Sequence, residues 1–433
     1  MKTVIMAGGK GTRISSIAPG IPKPMLPIQG KPILQYQLEC LVKNNLKDIL
    51  ITIGYLGSAI KDFFGNGEKF GCSISYYEEN EPLGSGGSLF KVIDVLDDDF
   101  ILVNGDIIFD IDFHRFVEFY RNTNALAALV VHPNSHPYDS ALLVTDSEFR
   151  VTKWLNKEDP RGNYKNQVNA GIHILSKQLL ATITPHTEKI DLDRDILKPL
   201  ISLGKIYAYS TPEYIKDAGT PERYKQVSQD VENGLIQKRN LSIKQKAVFL
   251  DRDGTINISS GFITTPEEFE LIEGVAEAIR HINKTDYLVI VITNQPVIAR
   301  GECSISTLDN IHQKMESDLG KYGAYIDDLF YCPHHPDKGF PGELIEYKID
   351  CDCRKPKPGM ILKAAEKFNI DLPCSYMVGD DIRDIKAGIA AGCTPVFLNK
   401  DAEKSELIQN EPSILRFKNL REFVKCCMGK TYE

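Results

Sequence analysis

No run of 18 consecutive apolar residues occurs anywhere in the 433-residue chain, so no segment is expected to cross a bilayer as a helix. The start, MKTVIMAGGKG, lacks the long apolar stretch and small-residue cleavage site of a secretory leader, because Gly8 and Gly9 interrupt it after a few residues. A cytoplasmic protein is therefore expected. Positive charge is not in excess either. The formal charge of −8 argues against wholesale binding of a nucleic-acid backbone, although a small basic pocket is compatible with it. Neither nucleic acid nor a membrane is expected as a partner, and self-association into a homo-oligomer is left open. Ten cysteines without an export signal read as thiols or metal ligands and not as a disulfide framework, which makes their spacing informative. The one tryptophan, Trp154, reads as packing. There is no repeat of fixed period and no low-complexity tract.

What is present is enough ordinary globular sequence, 42% hydrophobic and 25% charged, for about two or three domains of ~150 residues each. From Lys2 the chain alternates strand and helix patterns. TVIMA is followed by a glycine turn, the helical stretch ILQYQLECLVKNN, the strand DILITIG, a helix around AIKDFF and the strand SISYYEE. Such alternation implies a mainly parallel sheet with helices on both faces and ligands at the carboxyl ends of its strands. FILVNGD, closing at Asp106, is one such end. A polar segment follows DAGTPERYKQV, and at Lys246 the alternation restarts with KAVFLDRDG, YLVIVITNQ, SYMVGDD and CTPVFL. The expected architecture is two doubly wound α/β domains, 1–230 and 246–433, joined by a linker over 231–245.

In the first domain, a glycine turn between strand and helix lets backbone N–H groups approach phosphate oxygens. Gly8, Gly9 and Gly11 suit that use, and the run is neither a Walker A motif nor a dinucleotide fingerprint. Arg13, and Lys23 in PKPMLPI, add two cations beside the turn.

GGKGTR followed by PKPM resembles the sugar-1-phosphate nucleotidylyltransferase family over about residues 1–225. The resemblance implies a Rossmann-like sheet on which a sugar phosphate attacks a nucleotide α-phosphate in line, pyrophosphate leaves and Mg²⁺ neutralises the crowded charge. It implies catalytic roles for Arg13 and Lys23, and metal ligation by Asp106 in NGD and Asp217 in DAGTPERY. Gly8, Gly9, Gly11 and Thr12 would bind nucleotide, as would Gly84 and Ser85 in LGSGGSL. The family usually has LGTAG there, and read alone these glycines could simply begin the helix SLFKVIDVL. Asn169 in NAGI matches a sugar contact. Lys157 in WLNKEDP matches the lysine that grips the sugar phosphate, with Asn156 where the family carries an acid.

In the second domain DRDGT closes the strand KAVFL, and two aspartates spaced by two on extended chain point the same way. One carboxylate, Asp251, can attack phosphorus while Asp253 donates a proton to the leaving alcohol. Asp380 in VGDD supplies another carboxylate for Mg²⁺, and Thr293 and Lys355 can hold the transferring phosphoryl group. Asp381 and Asp384 either support that shell or stand as solvated acids at a helix N-terminus. Cys332 and His334, with Cys351 and Cys353, form a C-x-H and C-x-C pair suited to closed, tetrahedral, structural Zn²⁺, with His335 a bystander. Because Cys353 precedes Arg354 and Lys355, metal binding would fix the loop that aims both cations at phosphate. The remaining cysteines read as thiols.

DRDGT, TNQ, CRKPKPG and GDD resemble the haloacid dehalogenase superfamily of phosphatases over 246 to about 400. That resemblance implies Asp251 as nucleophile and Asp253 as general acid/base. The metal would be held by the Asp251 and Asp380 side chains and the Asp253 carbonyl. TNQPVIARG and GFITTPEEFELIEGV resemble the heptose bisphosphate 7-phosphatases, implying sugar-phosphate contacts from Asn294, Gln295 and Arg300. Pro296 and Val297 replace Ser-Gly, and Ser259, Ser260 and Phe262 replace the usual acid, histidine and tyrosine. The combined expectation is a bifunctional enzyme. It would remove the 7-phosphate of D-glycero-D-manno-heptose 1,7-bisphosphate and transfer GMP from GTP to the resulting heptose 1-phosphate, releasing pyrophosphate. Two other readings stay open: a phosphatase for histidinol phosphate or another sugar phosphate, and a non-catalytic, nucleotide-sensing first domain.

Overall fold

The computed structural model describes residues 1–9, 20–183, 189–259, 261–398 and 412–429. Gly11, Thr12 and Arg13 lie outside the described residues. Two compact units emerge. The first comprises Met1–His132, Ala141–Asn156 and Gln167–Asn240, and the second Pro133–Ser140, Lys157–Asn166 and Leu241–Glu433. The last division falls inside 231–245, but that segment is no free linker. It carries the end of a helix, Pro221–Glu232, then a short helix, Leu235–Lys238, and buries Leu235, Ile236 and Leu241. Three apolar side chains in an otherwise polar stretch are enough to tie it down.

At the centre of the first unit is Thr3–Ala7, flanked in parallel by Asp48–Ile53 and Asp99–Asn104, with Ser73–Glu78 beyond Asp48–Ile53. The first three are apolar runs buried on both faces, the pattern of a parallel sheet covered by helices. The other side of the nine-stranded sheet departs from the doubly wound expectation. Val168–Ser176 runs antiparallel to Asp99–Asn104 and to Ala127–His132, and Ile206–Ser210 then joins Ala127–His132 in parallel. A separate two-stranded ribbon pairs Ile107–Asp110 with Tyr214–Asp217, placing Asp217 opposite Ile107. This register carries Asp217 to the end of the sheet where Asp106 sits, although 110 residues lie between them in sequence.

The second unit holds a six-stranded, all-parallel sheet. Its order is Asp328–Cys332, Tyr287–Asn294, Lys246–Leu250, Tyr376–Gly379, Thr394–Leu398 and Leu415–Phe417. Side chains alternate along the strands with period two. Val248, Leu250, Val289 and Val291 enter one buried cluster, and Ala247, Phe249, Leu288, Ile290 and Ile292 enter another on the opposite face. Asp251, Thr293 and Asp380 therefore follow from strand registration: each lies at the carboxyl end of a neighbouring strand. Among the described residues no helix is long and apolar enough to cross a membrane.

Phe249 is fully buried in the second of these clusters. Phe249→Ala is expected to lower the stability of that unit by about 3–5 kcal/mol, read by urea denaturation, because the cavity left between sheet and helix cannot close.

Candidate active sites

The second unit brings together almost every charged residue that its sequence singles out. A cavity of about 380 Å³ is lined by Asp251, Asp253, Thr293, Asn294, Arg300, Arg354, Lys355, Asp380 and Asp384, among others. At its base is Lys355, 3% exposed. Its ammonium donates to Asp251 Oδ1 (2.7 Å), Asp384 Oδ1 (2.6 Å) and the Ile292 carbonyl (2.8 Å). All three N–H groups are thus engaged. In this arrangement the lysine fixes the carboxylate of Asp251, while Thr293, Arg300 and Arg354 are among the donors that line the cavity.

Asp251 Oδ1 also accepts from the Arg252 backbone N–H (2.7 Å), and Oδ2 takes no hydrogen bond from the described residues. One oxygen is anchored by two donors and the other is left to react. Burial, and next the charge of Asp384, push the Asp251 carboxyl up to about 7, against the opposing pull of Lys355. Burial and then Asp251 raise Asp380 to about 6, and burial raises Asp384. The cause is common to all three. Asp251, Asp380 and Asp384 place oxygens within 4.8 Å of one another, and one ammonium cannot balance three carboxylates. A divalent cation fits that donor set. Asp384 is engaged by Lys355 and by the Asp381 N–H, leaving Asp251 and Asp380 as the carboxylates with open oxygens. Gly254, with φ +84°, lies so close to Asp380 that an added Cβ would stand 2.0 Å from Oδ2, which sets Asp380 against the peptide that follows Asp253. The choice left open for the two acids resolves differently for each. Asp384 is buried behind the site, while Asp381 caps the helix Ile382–Ala391 and pairs with Arg383.

Asp253 reaches the cavity by another route than the extended-chain argument supposes. The strand ends at Leu250, and Asp253 forms an isolated bridge with Asn257 in a turn. Its carboxylate is gripped by Arg252, by Asn257 Nδ2 (3.0 Å) and by Gln295 Nε2 (2.9 Å). Arg252 is wholly buried and also meets Gln295 and His312. Gln295 and Asn294, expected as sugar-phosphate contacts, also hold the site together. The Gln295 amide is held by Asp253 and Thr293, and Asn294 clamps the Lys355 backbone, donating to its carbonyl and accepting from its N–H (3.0 Å each).

Cys332 ends the strand beside Asn294 and is fully buried, and the chain returns to it at Cys351 and Cys353. The three sulfurs lie 3.1–3.5 Å apart, and His334 Nδ1 is 3.4 Å from Cys353 and 3.7 Å from Cys332. Disulfide sulfurs would be bonded at about 2.05 Å, whereas tetrahedral Zn–S bonds of ~2.3 Å put sulfurs about 3.8 Å apart. The donor set fits zinc. His335 is outside it: this ring lines the phosphate cavity, with Nδ1 buried and unpartnered among the described residues.

In the first unit a cavity of about 480 Å³ is lined by Gly8, Gly9, Lys23, Gly84, Ser85, Asp106 and Gly219, and by Glu79, which the sequence did not single out. Lys23 is ion-paired with Asp106. Asp217 is held by Arg223 (3.0 Å) and by the Gly219 N–H (2.9 Å). A Cβ on Gly219 would stand 2.6 Å from Asp217 Oδ1 and 3.3 Å from Lys23 Nζ, so these charges converge on one glycine. Gly84 has φ +79° and no room for a Cβ, which would come 2.4 Å from the Ile190 carbonyl. Asn169 approaches Asp193 at 3.5 Å. Lys157 belongs to the second unit, is 61% exposed and faces Glu158 at 3.6 Å. The motif match located a lysine whose backbone is not part of the first unit.

Comparison with known proteins agrees with this division. Residues 2–234 match the nucleotidyl transferase family model, and residues 352–422 match the HAD-hydrolase-like model. The chain is 42% identical over 145 residues to the D-glycero-beta-D-manno-heptose-1,7-bisphosphate 7-phosphatase of Escherichia coli K12, covering 34% of this chain and 74% of that one. It is 45% identical over 147 residues to the protein of the same name from Haemophilus influenzae, covering 34% and 77%. Among solved structures it resembles HddC from Yersinia pseudotuberculosis, at 28% identity over 53% of this chain and 99% of that one, with a TM-score of 0.47.

Cys351→Ser should abolish stoichiometric zinc in metal analysis of the purified chain, whereas Cys374→Ser, an exposed thiol, should leave it unchanged.

Proposed function

From a chain that belongs to the nucleotidyl transferase family over residues 2–234, and to the family of the heptose bisphosphate 7-phosphatases that it matches over 145 residues, we infer an enzyme with two consecutive activities. The second unit removes the 7-phosphate of D-glycero-D-manno-heptose 1,7-bisphosphate. The first then couples the heptose 1-phosphate to a nucleotide, with GTP as donor and pyrophosphate as by-product. The observation that carries this reading is that the cavity holding Asp251 is lined by two arginines, Arg354 and Arg300, for a substrate with two phosphates. Arg300, stacked between Phe262 and Phe340 at 4.5 and 4.3 Å, lines the same cavity with its Nε buried and unpartnered among the described residues.

Asp251 Oδ2 attacks phosphorus, the bond from phosphorus to the sugar O7 breaks, and Asp253 gives its proton to that oxygen. Water then attacks the aspartyl phosphate while Asp253 takes the proton back, releasing orthophosphate and restoring Asp251. Lys355 keeps Asp251 Oδ1 fixed throughout, and Arg252 and Gln295 hold Asp253 against the leaving group. Asp251, Asp380 and the Asp253 carbonyl would hold Mg²⁺, which would supply charge neutralisation at the phosphoryl group. In the first unit an oxygen of the sugar 1-phosphate displaces pyrophosphate from the nucleotide α-phosphorus. Gly8, Gly9 and Lys23 position the phosphates there, and Asp106 and Asp217 would hold a second Mg²⁺ that neutralises their charge. Zinc at Cys332, His334, Cys351 and Cys353 would hold Arg354 and Lys355 in place. Ten unpaired cysteines accord with a cytoplasmic enzyme.

The purified chain, supplied with the heptose bisphosphate, Mg²⁺ and each nucleoside triphosphate in turn, should yield orthophosphate, pyrophosphate and one nucleotide-linked heptose. Asp251→Asn should reduce orthophosphate release by at least 10³-fold yet still convert heptose 1-phosphate. Orthophosphate appearing at the parental rate would sink the assignment. Conversely, Asp106→Asn should stop pyrophosphate release and leave orthophosphate release intact.

A further inference from the structure

The grip on Asp253 has a second layer. One edge of the Arg252 guanidinium donates to the Asp253 carboxylate, Nε at 3.0 Å and Nη2 at 2.9 Å, and Nη2 also reaches Gln295 Oε1 at 3.1 Å. Its remaining nitrogen, Nη1, meets His312 Nε2 at 3.2 Å. A guanidinium has no acceptor, so Nε2 must accept and the imidazole is neutral, with its proton on Nδ1. The surroundings keep it so. Burial, then the charges of Arg252 and Lys165, hold His312 well below the usual histidine range. His312 is not among the residues that line the phosphate cavity. It lies in the helix Ile305–Gly320, whereas Asp253 and Gln295 follow the ends of the strands Lys246–Leu250 and Tyr287–Asn294. The guanidinium is thus tied to a helix behind the site, and that helix is fixed in turn. Ser304 caps its start by accepting from the Thr307 N–H (3.0 Å). One turn beyond His312, Glu316 Oε2 accepts from the Asn166 N–H (2.7 Å) and Ser317 Oγ from the Tyr164 N–H (2.8 Å), all within the second unit. The Tyr331 ring packs against the imidazole at 5.6 Å between centroids.

A guanidinium is planar and rigid, so fixing Nη1 also fixes the edge that carries Nε and Nη2. Without an acceptor at Nη1 a buried N–H is left unmatched, and the easiest relief is rotation toward another acceptor, which swings Nη2 off Asp253 and Gln295. The carboxyl that must give its proton to the sugar O7 then loses its aim. A misplacement of about 1 Å is enough to slow such a step by ~10²-fold. We propose that His312 is a positioning residue for the phosphatase reaction: by accepting from Arg252 Nη1, its Nε2 sets the angle at which Asp253 meets the departing oxygen. This rests on the phosphatase activity inferred above and on Asp253 as its acid.

The leaving group separates aim from folding. Alcohol release in a single turnover, with Mg²⁺ and the full chain in excess over substrate, reports phosphoryl transfer to Asp251 alone. The heptose bisphosphate loses an alkoxide that needs a proton, whereas p-nitrophenyl phosphate loses a nitrophenolate that leaves without one. His312→Leu should slow release from the heptose bisphosphate by at least about 10-fold and from p-nitrophenyl phosphate by less than about 3-fold. In His312→Gln the amide Oε1 can stand in for Nε2, and the ratio of the two rates should return to within about 3-fold of the parent. Ratios taken within one preparation cancel any loss of folded protein. Equal slowing of both substrates in His312→Leu marks a purely structural role and overturns the proposal. So does an unchanged rate with the heptose bisphosphate, or a glutamine variant no better than the leucine one. Asp253→Asn, measured alongside, should show the same selective loss, and larger. If it slows both substrates alike, the reading of Asp253 as the acid fails and the proposal with it; if it is selective and His312→Leu is not, the proposal alone fails.

Discussion

The ammonium of Lys355, buried between Asp251 and Asp384, is the contact on which the phosphatase site turns. Bringing a lysine and two carboxylates out of water costs several kcal/mol per ion unless every donor finds an acceptor. Here every donor does, the third being the Ile292 carbonyl. The arrangement also needs the backbone of Lys355 to be fixed, and two devices do this. Asn294 binds its N–H and carbonyl, and the sulfur cluster gathers the chain two residues earlier at Cys353. Because Cys332 and Asn294 are register partners on adjacent strands, both devices hang from one edge of the sheet.

The two units meet similar chemical demands with different degrees of burial. The phosphoryl transfer to Asp251 inferred above would require a desolvated nucleophile, and its carboxylate lies among buried groups whose mutual repulsion invites a metal. Nucleotidyl transfer requires no protein nucleophile. Its charges, Lys23 with Asp106 and Arg223 with Asp217, are partly exposed and arranged around glycines that leave room for phosphates. In both, the charged residues lie just beyond strand ends, where the backbone no longer pairs and side chains from neighbouring strands converge.

Much of this was legible in the sequence wherever a motif follows directly on a strand. Gly8, Asp106, Asp251, Thr293 and Asp380 each stand at or just beyond the end of an apolar run, and parallel registration brings such ends together. The C-x-H and C-x-C spacing pointed to the cluster of metal-ligating side chains for a similar reason, since groups two residues apart on tight chain share one face. Other placements depended on loops and long-range contacts and were not legible. Lys157 belongs to a segment of the second unit. Gln295 is held by Asp253 and Thr293, and Asn294 lines the cavity while clamping the Lys355 backbone. Arg252 lies between two recognised aspartates and gave no signal of its own, because only burial distinguishes a structural arginine from a solvated one.

The sequence by itself determined two α/β units, their chemistry at strand ends, and the residue types able to attack, protonate and neutralise. These follow from local pattern, since an apolar run closed by an acid or glycine has few ways to fold. Only the tertiary structure decided which oxygen of Asp251 is free, that Asp384 stands behind it, that Asp253 is held by Arg252, and that Glu79 faces the nucleotide cavity. Each of those depends on contacts between distant segments, and sheet register and burial, not spacing along the chain, set them.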